Sequence, residues 1–470
     1  MKELWQLDAG ALAEAYRDGT LSPVEAMRSV LQRLDAVNPR IRAVVARDDG
    51  AALGAARESE ARWRRGTPLS MLDGVPVSVK DNIPVRGFPC CWGSRLFADH
   101  RPARDEAPVA RLRAAGAILF AKTNIPEFTL QGYTANALSG TTRNPWNLDL
   151  TPGGSSGGAV AAVAAGIGPL ALATDGGGSI RRPCAYTGLI GLKPTWDAVP
   201  RADGLPEMLP GLEVIGPIAR TTADLVRILQ VLAPAMHAID LAAPPPRPQR
   251  IAYWRAIAGS PVDAAIADQV DAVAVRLRTM GHVVIDAEAP DAVARFNREA
   301  WPVLSATGLA AVLRDRTGDE GLLSPAMAEL LAAGRRLSAV DLFAAQALQR
   351  EARIAMARLF ESRDLILTPS CAAMPWAAAR SHPSQIAGCA VGARGHAVFT
   401  AFVNGAGLPA LNLPAEPGVD GLPIGFQLVG PQGSDALLCT IGHAFEQRHP
   451  WQHRRPALAA VAPLSEVPSA

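Results

Sequence analysis

Between residues 151 and 195 the chain reads Thr-Pro-Gly-Gly-Ser-Ser-Gly-Gly, an alanine-rich segment, Asp-Gly-Gly-Gly-Ser-Ile-Arg-Arg, and then Gly-Leu-Ile-Gly-Leu-Lys-Pro-Thr. Each glycine costs backbone entropy that an ordinary loop need not spend, so this density means that something approaches the backbone closely. Ser155 and Ser179 each sit in a glycine cradle, and the apolar run between them is long enough to turn and bring them together in one site. Glycines before a serine leave several backbone N–H groups unshielded, which an oxyanion hole requires when an acyl carbon becomes tetrahedral. A serine nucleophile also needs a base. Between His100 and His237 there is no histidine, so this motif-dense third of the chain works without an imidazole.

The motifs Gly153-Gly154-Ser155-Ser156-Gly157-Gly158, Asp175-Gly176-Gly177-Gly178-Ser179-Ile180-Arg181 and Gly191-Leu192-Lys193-Pro194-Thr195 resemble those of the amidase signature family of serine hydrolases. Val77-Ser78-Val79-Lys80-Asp81-Asn82 and Ala121-Lys122-Thr123-Asn124-Ile125-Pro126-Glu127-Phe128 match it upstream. Gly216-Pro217-Ile218-Ala219-Arg220-Thr221 and Gly421-Leu422-Pro423-Ile424-Gly425 match it downstream. Several motifs in the family's order make the resemblance specific, where one alone would be weak.

The resemblance implies a single large α/β domain over 1–465, with a mixed, mostly central β-sheet covered by helices on both faces. A helical N-terminal arm would span about 1–66, the signature core about 67–235 and a C-terminal α/β part about 250–455. It also implies hydrolysis of an amide C–N bond through a serine acyl-enzyme. In that scheme Ser179 is the nucleophile, Ser155 a bridging serine on a cis peptide bond, and Lys80 the base. Backbone N–H groups of Gly176, Gly177, Gly178 and Ser179 would hold the oxyanion. Ser156, Asp175 and Arg181 are expected to support the loop, and Thr129, Leu130 and Gln131 to line the substrate pocket. No metal and no cofactor is implied.

Charge usage agrees with a chemical role for Lys80. Arginine supplies nearly all the positive charge, and lysine occurs only at Lys2, Lys80, Lys122 and Lys193. A position that needs a deprotonatable amine cannot drift to arginine. Burial lowers a lysine pKa and so makes it a base. Lys122 and Lys193 read as structural, the latter because Pro194 follows it. Trp92, Trp301 and Trp376 read as core or rim.

A formal net charge of +2 offers no basic excess to match a phosphate backbone, which argues against nucleic acid. The N-terminal residues break their apolar run with charge, unlike a signal peptide. The most apolar run, 159–174, holds Gly166, Gly168 and Pro169 and is too short for a membrane span, so a cytoplasmic protein is expected. Six cysteines show neither a disulfide framework nor metal spacing and read as buried small hydrophobes.

Local signals place the motifs on elements. Ser22-Pro-Val-Glu25 is a capping box opening a helix with Ala26, Val30, Leu31 and Leu34 on its apolar stripe. Strands are expected over 73–80, 117–121, 169–174, 251–254, 283–286, 365–368, 410–414 and 425–429. Helices are expected over 106–115, 157–166, 221–232, 261–280 and 338–362, with an extended proline linker at 243–248. Beyond that linker an insertion is expected to cover the catalytic face.

Three rival readings compete with this one. Gly153-x-Ser155-x-Gly157 fits a nucleophile elbow in which Ser155 attacks, but residues 143–152 are turn-forming where an elbow needs a buried strand. A phosphate-binding loop fails because no Gly-Lys-Ser/Thr follows the glycines. Within the family, the glutamine-hydrolysing A subunit of a tRNA-dependent amidotransferase resembles the chain closely. After Pro369, Ser-Cys-Ala-Ala-Met-Pro-Trp offers no obvious polar groups for a glutamine head, so a stand-alone amidase is expected, a monomer or homodimer acting on a small-molecule amide.

Overall fold

Eleven apolar or alternating runs pair into one sheet in this computed structural model, which describes residues 3–236, 239–243, 247–316 and 318–458. The strands are β1 (Val44–Arg47), β2 (Pro76–Lys80), β3 (Ile118–Thr123), β4 (Leu170–Asp175), β5 (Ile190–Lys193), β6 (Val214–Ala219), β7 (Arg250–Tyr253), β8 (Val283–Asp286), β9 (Leu365–Pro369), β10 (Ala410–Pro414) and β11 (Gly425–Val429). Their spatial order is β1-β3-β2-β4-β6-β5-β10-β11-β9-β7-β8. β2 runs parallel to β3 and β4, and β7 parallel to β8 and β9. The remaining neighbours are antiparallel. Parallel strands end on one side of a sheet, so Lys80 and Asp175, at the ends of β2 and β4, open onto the same edge, where α/β sheets bind ligands.

The period-2 alternation of β2 and β4 decides which side chains face that site. Val77, Val79, Leu170 and Leu172 enter the largest core, while Ala171 and Ala173 enter a second core on the other face. Small alanines there let a helix close tightly on the sheet. α1 (Pro23–Ile41) is opened by the Ser22–Glu25 capping box, and Ala26, Val30, Leu31 and Leu34 are all buried. α2 (Gly157–Ala165) is buried on every side, which only an all-apolar helix tolerates. A Cβ on Gly158 would lie 2.3 Å from the Asn124 backbone nitrogen, so glycine is what lets the start of α2 press against that loop. α3 (Arg181–Thr187) follows the second serine, and α4 (Thr222–Leu232) is capped by the Thr221 hydroxyl. α4 and α5 (Ala264–Thr279) cover the first face. α6 (Trp301–Val312), α7 (Pro325–Arg336) and α8 (Ala339–Ser362) follow, and α6 and α8 pack into the core on the other face.

Some boundaries differ from the sequence reading. The helix expected over 261–280 begins only at Ala264, because the Asp263 carboxylate accepts the backbone N–H groups of Met374 and Ala387 and holds that end in a loop. The strand expected over 117–121 runs on to Thr123, since β1 pairs against its end, Val44 opposite Thr123. The proline linker at 243–248 includes residues 244–246, which lie outside the described residues. No helix among the described residues is long and apolar enough to cross a membrane.

Candidate active site

Lys80 ends β2 with its side chain wholly buried. Its Nζ donates to Ser155 Oγ at 2.8 Å, to Thr174 Oγ1 at 2.8 Å and to the Thr174 carbonyl at 3.1 Å. Asn82 Nδ2 steadies the same threonine hydroxyl at 3.1 Å. Three oxygens without a carboxylate in direct contact can hold a neutral amine. Burial, only partly offset by the more distant Glu213 and Asp175 charges, pulls the ammonium from 10.5 down to about 7. A lysine held there can give up its proton near neutral pH, which an ordinary lysine does not. Ser155 is itself fully buried and joined to Gly154 by a cis peptide bond.

Ser179 stands on the loop between β4 and α3, and it lines a cavity of about 720 Å³ that Ser155 does not reach. The two serine segments are tied through backbone, the Ser156 N–H donating to the Ser179 carbonyl at 3.2 Å. Ser156 Oγ donates to the Thr174 carbonyl at 3.2 Å, so this hydroxyl braces the turn. The hydrogen bonds formed by described side chains do not include one between the Ser155 and Ser179 hydroxyls. Resting-state contacts of this type commonly tighten only when substrate is bound.

Asp175 organises the loop. Its Oδ1 accepts the Gly178 N–H at 2.7 Å and its Oδ2 the Ile180 N–H at 3.1 Å, while Arg181 grips both oxygens at 2.9 and 3.0 Å. Burial alone would raise this carboxyl, but the Arg181 charge and hydrogen bonds, with Lys193 and Asn404, hold it well below the usual carboxylate range. The Gly178 N–H is thereby spent. Gly178 lies outside the cavity lining, which corrects its expected place in the oxyanion hole, whereas Gly176 and Gly177 do line the cavity. What Gly178 supplies is room: φ is +113°, and a Cβ would fall 2.2 Å from Thr400 Oγ1. Replacing Asp175 by asparagine leaves Arg181 buried without its counter-ion. The expected loss is about 3–5 kcal/mol of stability, read from urea unfolding, and a loss under about 1 kcal/mol would contradict this role.

Thr129, Leu130 and Gln131 all line the cavity. Phe128 and Thr129, with φ of 53° and 61°, adopt the left-handed backbone that side chains avoid, and this turn carries the three residues to the wall. Of the insertion, α6 and α7 supply wall residues such as Pro302, Ser305 and Ala326, while no residue of α8 reaches the cavity. Trp301, read from sequence as core or rim, is a wall residue whose Nε1 donates to the Gly176 carbonyl at 3.4 Å. Trp92 and Trp376 are buried in other clusters.

Arg182, Arg394 and His396 line the cavity too, and sequence reasoning singled out none of them. Arg182 has a weak signal in its place next to Arg181. Arg394 and His396 come from a loop far down the chain, with no motif around them. Lys122 and Lys193 are buried, and each donates to a backbone carbonyl, of Ile83 and Pro194 respectively. Cys90, Cys184, Cys371 and Cys439 are buried, Cys91 is half-buried, and Cys389 is exposed on a two-residue strand of a surface hairpin, unlike the buried position expected. No cluster of potential metal ligands occurs among the described residues.

No strand precedes Ser155 as an elbow requires; the chain arrives through loop and leaves into α2.

Comparison with known proteins agrees with this architecture. A family model for amidases matches residues 25–439. The A subunit of the glutamyl-tRNA(Gln) amidotransferase of Chloroflexus aggregans is 33% identical, over 98% of this chain and 100% of its own. The crystal structure of a bacterial aryl acylamidase of the amidase signature family superposes with a TM-score of 0.88 at 30% identity, over 95% of this chain and 96% of its own. A 6-aminohexanoate cyclic dimer hydrolase, complexed with substrate, superposes with a TM-score of 0.87 at 28% identity, over 97% of this chain and 100% of its own. The chain belongs to the amidase signature family and is a hydrolase of amide C–N bonds.

Proposed function

We propose that the chain is a stand-alone amidase for aryl or aliphatic amides, with Ser179 as nucleophile. The observation that carries this is the Lys80 Nζ to Ser155 Oγ hydrogen bond at 2.8 Å, formed behind a serine that faces the cavity. Neutral Lys80 takes the Ser155 proton as Ser155 takes that of Ser179, and the Ser179 oxygen bonds to the amide carbon. N–H groups of Gly176, Gly177 and Ser179, residues that line the cavity, would receive the oxyanion. Collapse breaks the C–N bond, and the proton returns along the same relay to the leaving amine. Water then adds to the acyl-enzyme by the same relay, releasing the acid and restoring the Ser179 hydroxyl.

The aryl acylamidase and the cyclic dimer hydrolase, both similar to this chain over nearly its whole length, support action on a small amide. The amidotransferase relative favours a second reading, glutamine hydrolysis within a complex. One screen separates them. Purified chain, alone, is given aliphatic, aryl, cyclic and amino-acid amides, and amine release is measured. Turnover of anilides or alkyl amides without a partner is expected. Release of ammonia from glutamine alone, and only after a partner protein is added, would overturn the proposal. The enzyme is further proposed to be cytoplasmic and a monomer or homodimer, the latter read by sedimentation.

A further inference from the structure

Arg394 Cζ lies 3.6 Å from the centroid of the Trp301 ring, stacked against the indole that itself touches the glycine loop. Arg394 lines the cavity, and no described carboxylate pairs with it. The nearby Arg182 is also without an ion pair. Its donors brace the carbonyls of Gly177 and Gly154 and the Thr400 hydroxyl, leaving its buried Nε without a partner. His396, 2% exposed, turns into the same region with neither ring nitrogen hydrogen-bonded. Its position is exacting, since a Cβ on Gly132 would fall 2.2 Å from Nε2. Burial, with the charges of Arg182 and Arg394 added to it, keeps that imidazole neutral, so one of its nitrogens is free to donate.

The acidic groups on the cavity wall do not cancel this pole. Glu213 is bonded to Arg201 at 2.9 Å, and Glu329 stands exposed on the rim, where water screens it. Two guanidinium groups without counter-ions and an unsatisfied imidazole at one end of a cavity are costly unless a ligand completes them. The planar fork of Arg394, with its Cζ over the Trp301 ring, matches a carboxylate in two-pronged geometry.

We infer that the preferred substrate is an amide that also carries a carboxylate, and that Arg394, with His396 beside it, receives that carboxylate. This deepens the amidase reading and rests on it. Matched pairs test it: the monoanilide of glutaric acid against the anilide of pentanoic acid, with the charge on the acyl arm, and acetylated aminobenzoate against acetanilide, with the charge on the leaving arm. In one arm the anionic member is expected to have the higher kcat/KM, by about 10- to 100-fold, the range of a charge-assisted hydrogen bond. Arg394→Gln is expected to bring that ratio towards one, and Arg394→Lys to keep part of it. The wild-type preference is itself a test that needs no variant to fold. Neutral members preferred in both arms, or a preference that survives Arg394→Gln, would overturn the inference.

Calorimetric binding of the same pairs to the Ser179→Ala protein separates the two readings. Tighter binding of the anionic member with no hydrolysis of any pair by wild type would sink the amidase proposal and leave only the carboxylate site at Arg394 standing. Hydrolysis of both members with equal affinity would do the reverse.

Discussion

Ser179→Ala is expected to lower amide turnover by roughly 10⁴- to 10⁶-fold, the range seen when a serine hydrolase loses its nucleophile, and to abolish covalent labelling by a fluorophosphonate. The reasoning is positional. Ser179 faces the cavity between the Gly176–Gly177 backbone and the wall, while Ser155 is sealed behind it and already accepts the Lys80 amine. A reagent entering the cavity meets the first hydroxyl and not the second. Ser155→Ala should slow labelling by breaking proton flow, yet leave the label on Ser179 when the adduct is mapped by mass spectrometry. A label that persists on Ser155 in the Ser179→Ala protein would instead restore the nucleophile-elbow arrangement and remove Lys80 from its proposed role. The alanine variant should fold normally, because the loop is held by Asp175, Arg181 and the Ser156 N–H to Ser179 carbonyl bond, none of which uses the lost hydroxyl.

Why the sequence disclosed some of this site and not the rest has a physical reason. Residues that act through backbone shape leave a local mark: the glycines around Ser155 and Ser179 exist because side chains would collide, as at Gly158 against Asn124 and Gly178 against Thr400. Lys80 at a strand end, one of only four lysines in a chain otherwise committed to arginine, is a mark of the same type. Most strands were legible for a similar reason, since alternation along β2 and the continuous apolar run of β4 are dictated by neighbours on the sheet. Gly178 misleads because its composition is that of an oxyanion loop, and only the folded chain shows its N–H turned to Asp175. Arg394 and His396 were invisible. They reach the cavity by tertiary packing against Trp301 and Trp376, and nothing in their immediate sequence requires it.

With the Lys80 amine near 7, kcat/KM should rise as pH increases through that value and level off above it. The sign follows from the base form: the neutral amine is the acceptor, about a tenth of the enzyme holds it one unit below the pKa, and about nine-tenths one unit above. Lys80→Met should cost about 10²- to 10⁴-fold in kcat, the worth of a positioned general base, and flatten the profile. Lys80→Arg should be equally inactive, since a guanidinium does not deprotonate in this range. One other group could mimic the ionisation. Lys193 is also pulled down to about 7 by burial, but it donates to the Pro194 carbonyl and does not line the cavity. The ionisation should therefore keep its position in Lys193→Met and vanish only with Lys80. An inflection that moves with Lys193 would assign the base elsewhere. Stability carries an independent check. Between about 7 and 10.5 the unfolded lysines bind protons that buried Lys80 and Lys193 do not, so unfolding free energy should fall as pH is lowered across that window. Lys80→Met should remove its share of that slope, because the methionine carries no proton in either state. Loss of the slope without loss of activity would mean that the amine is buried for packing alone.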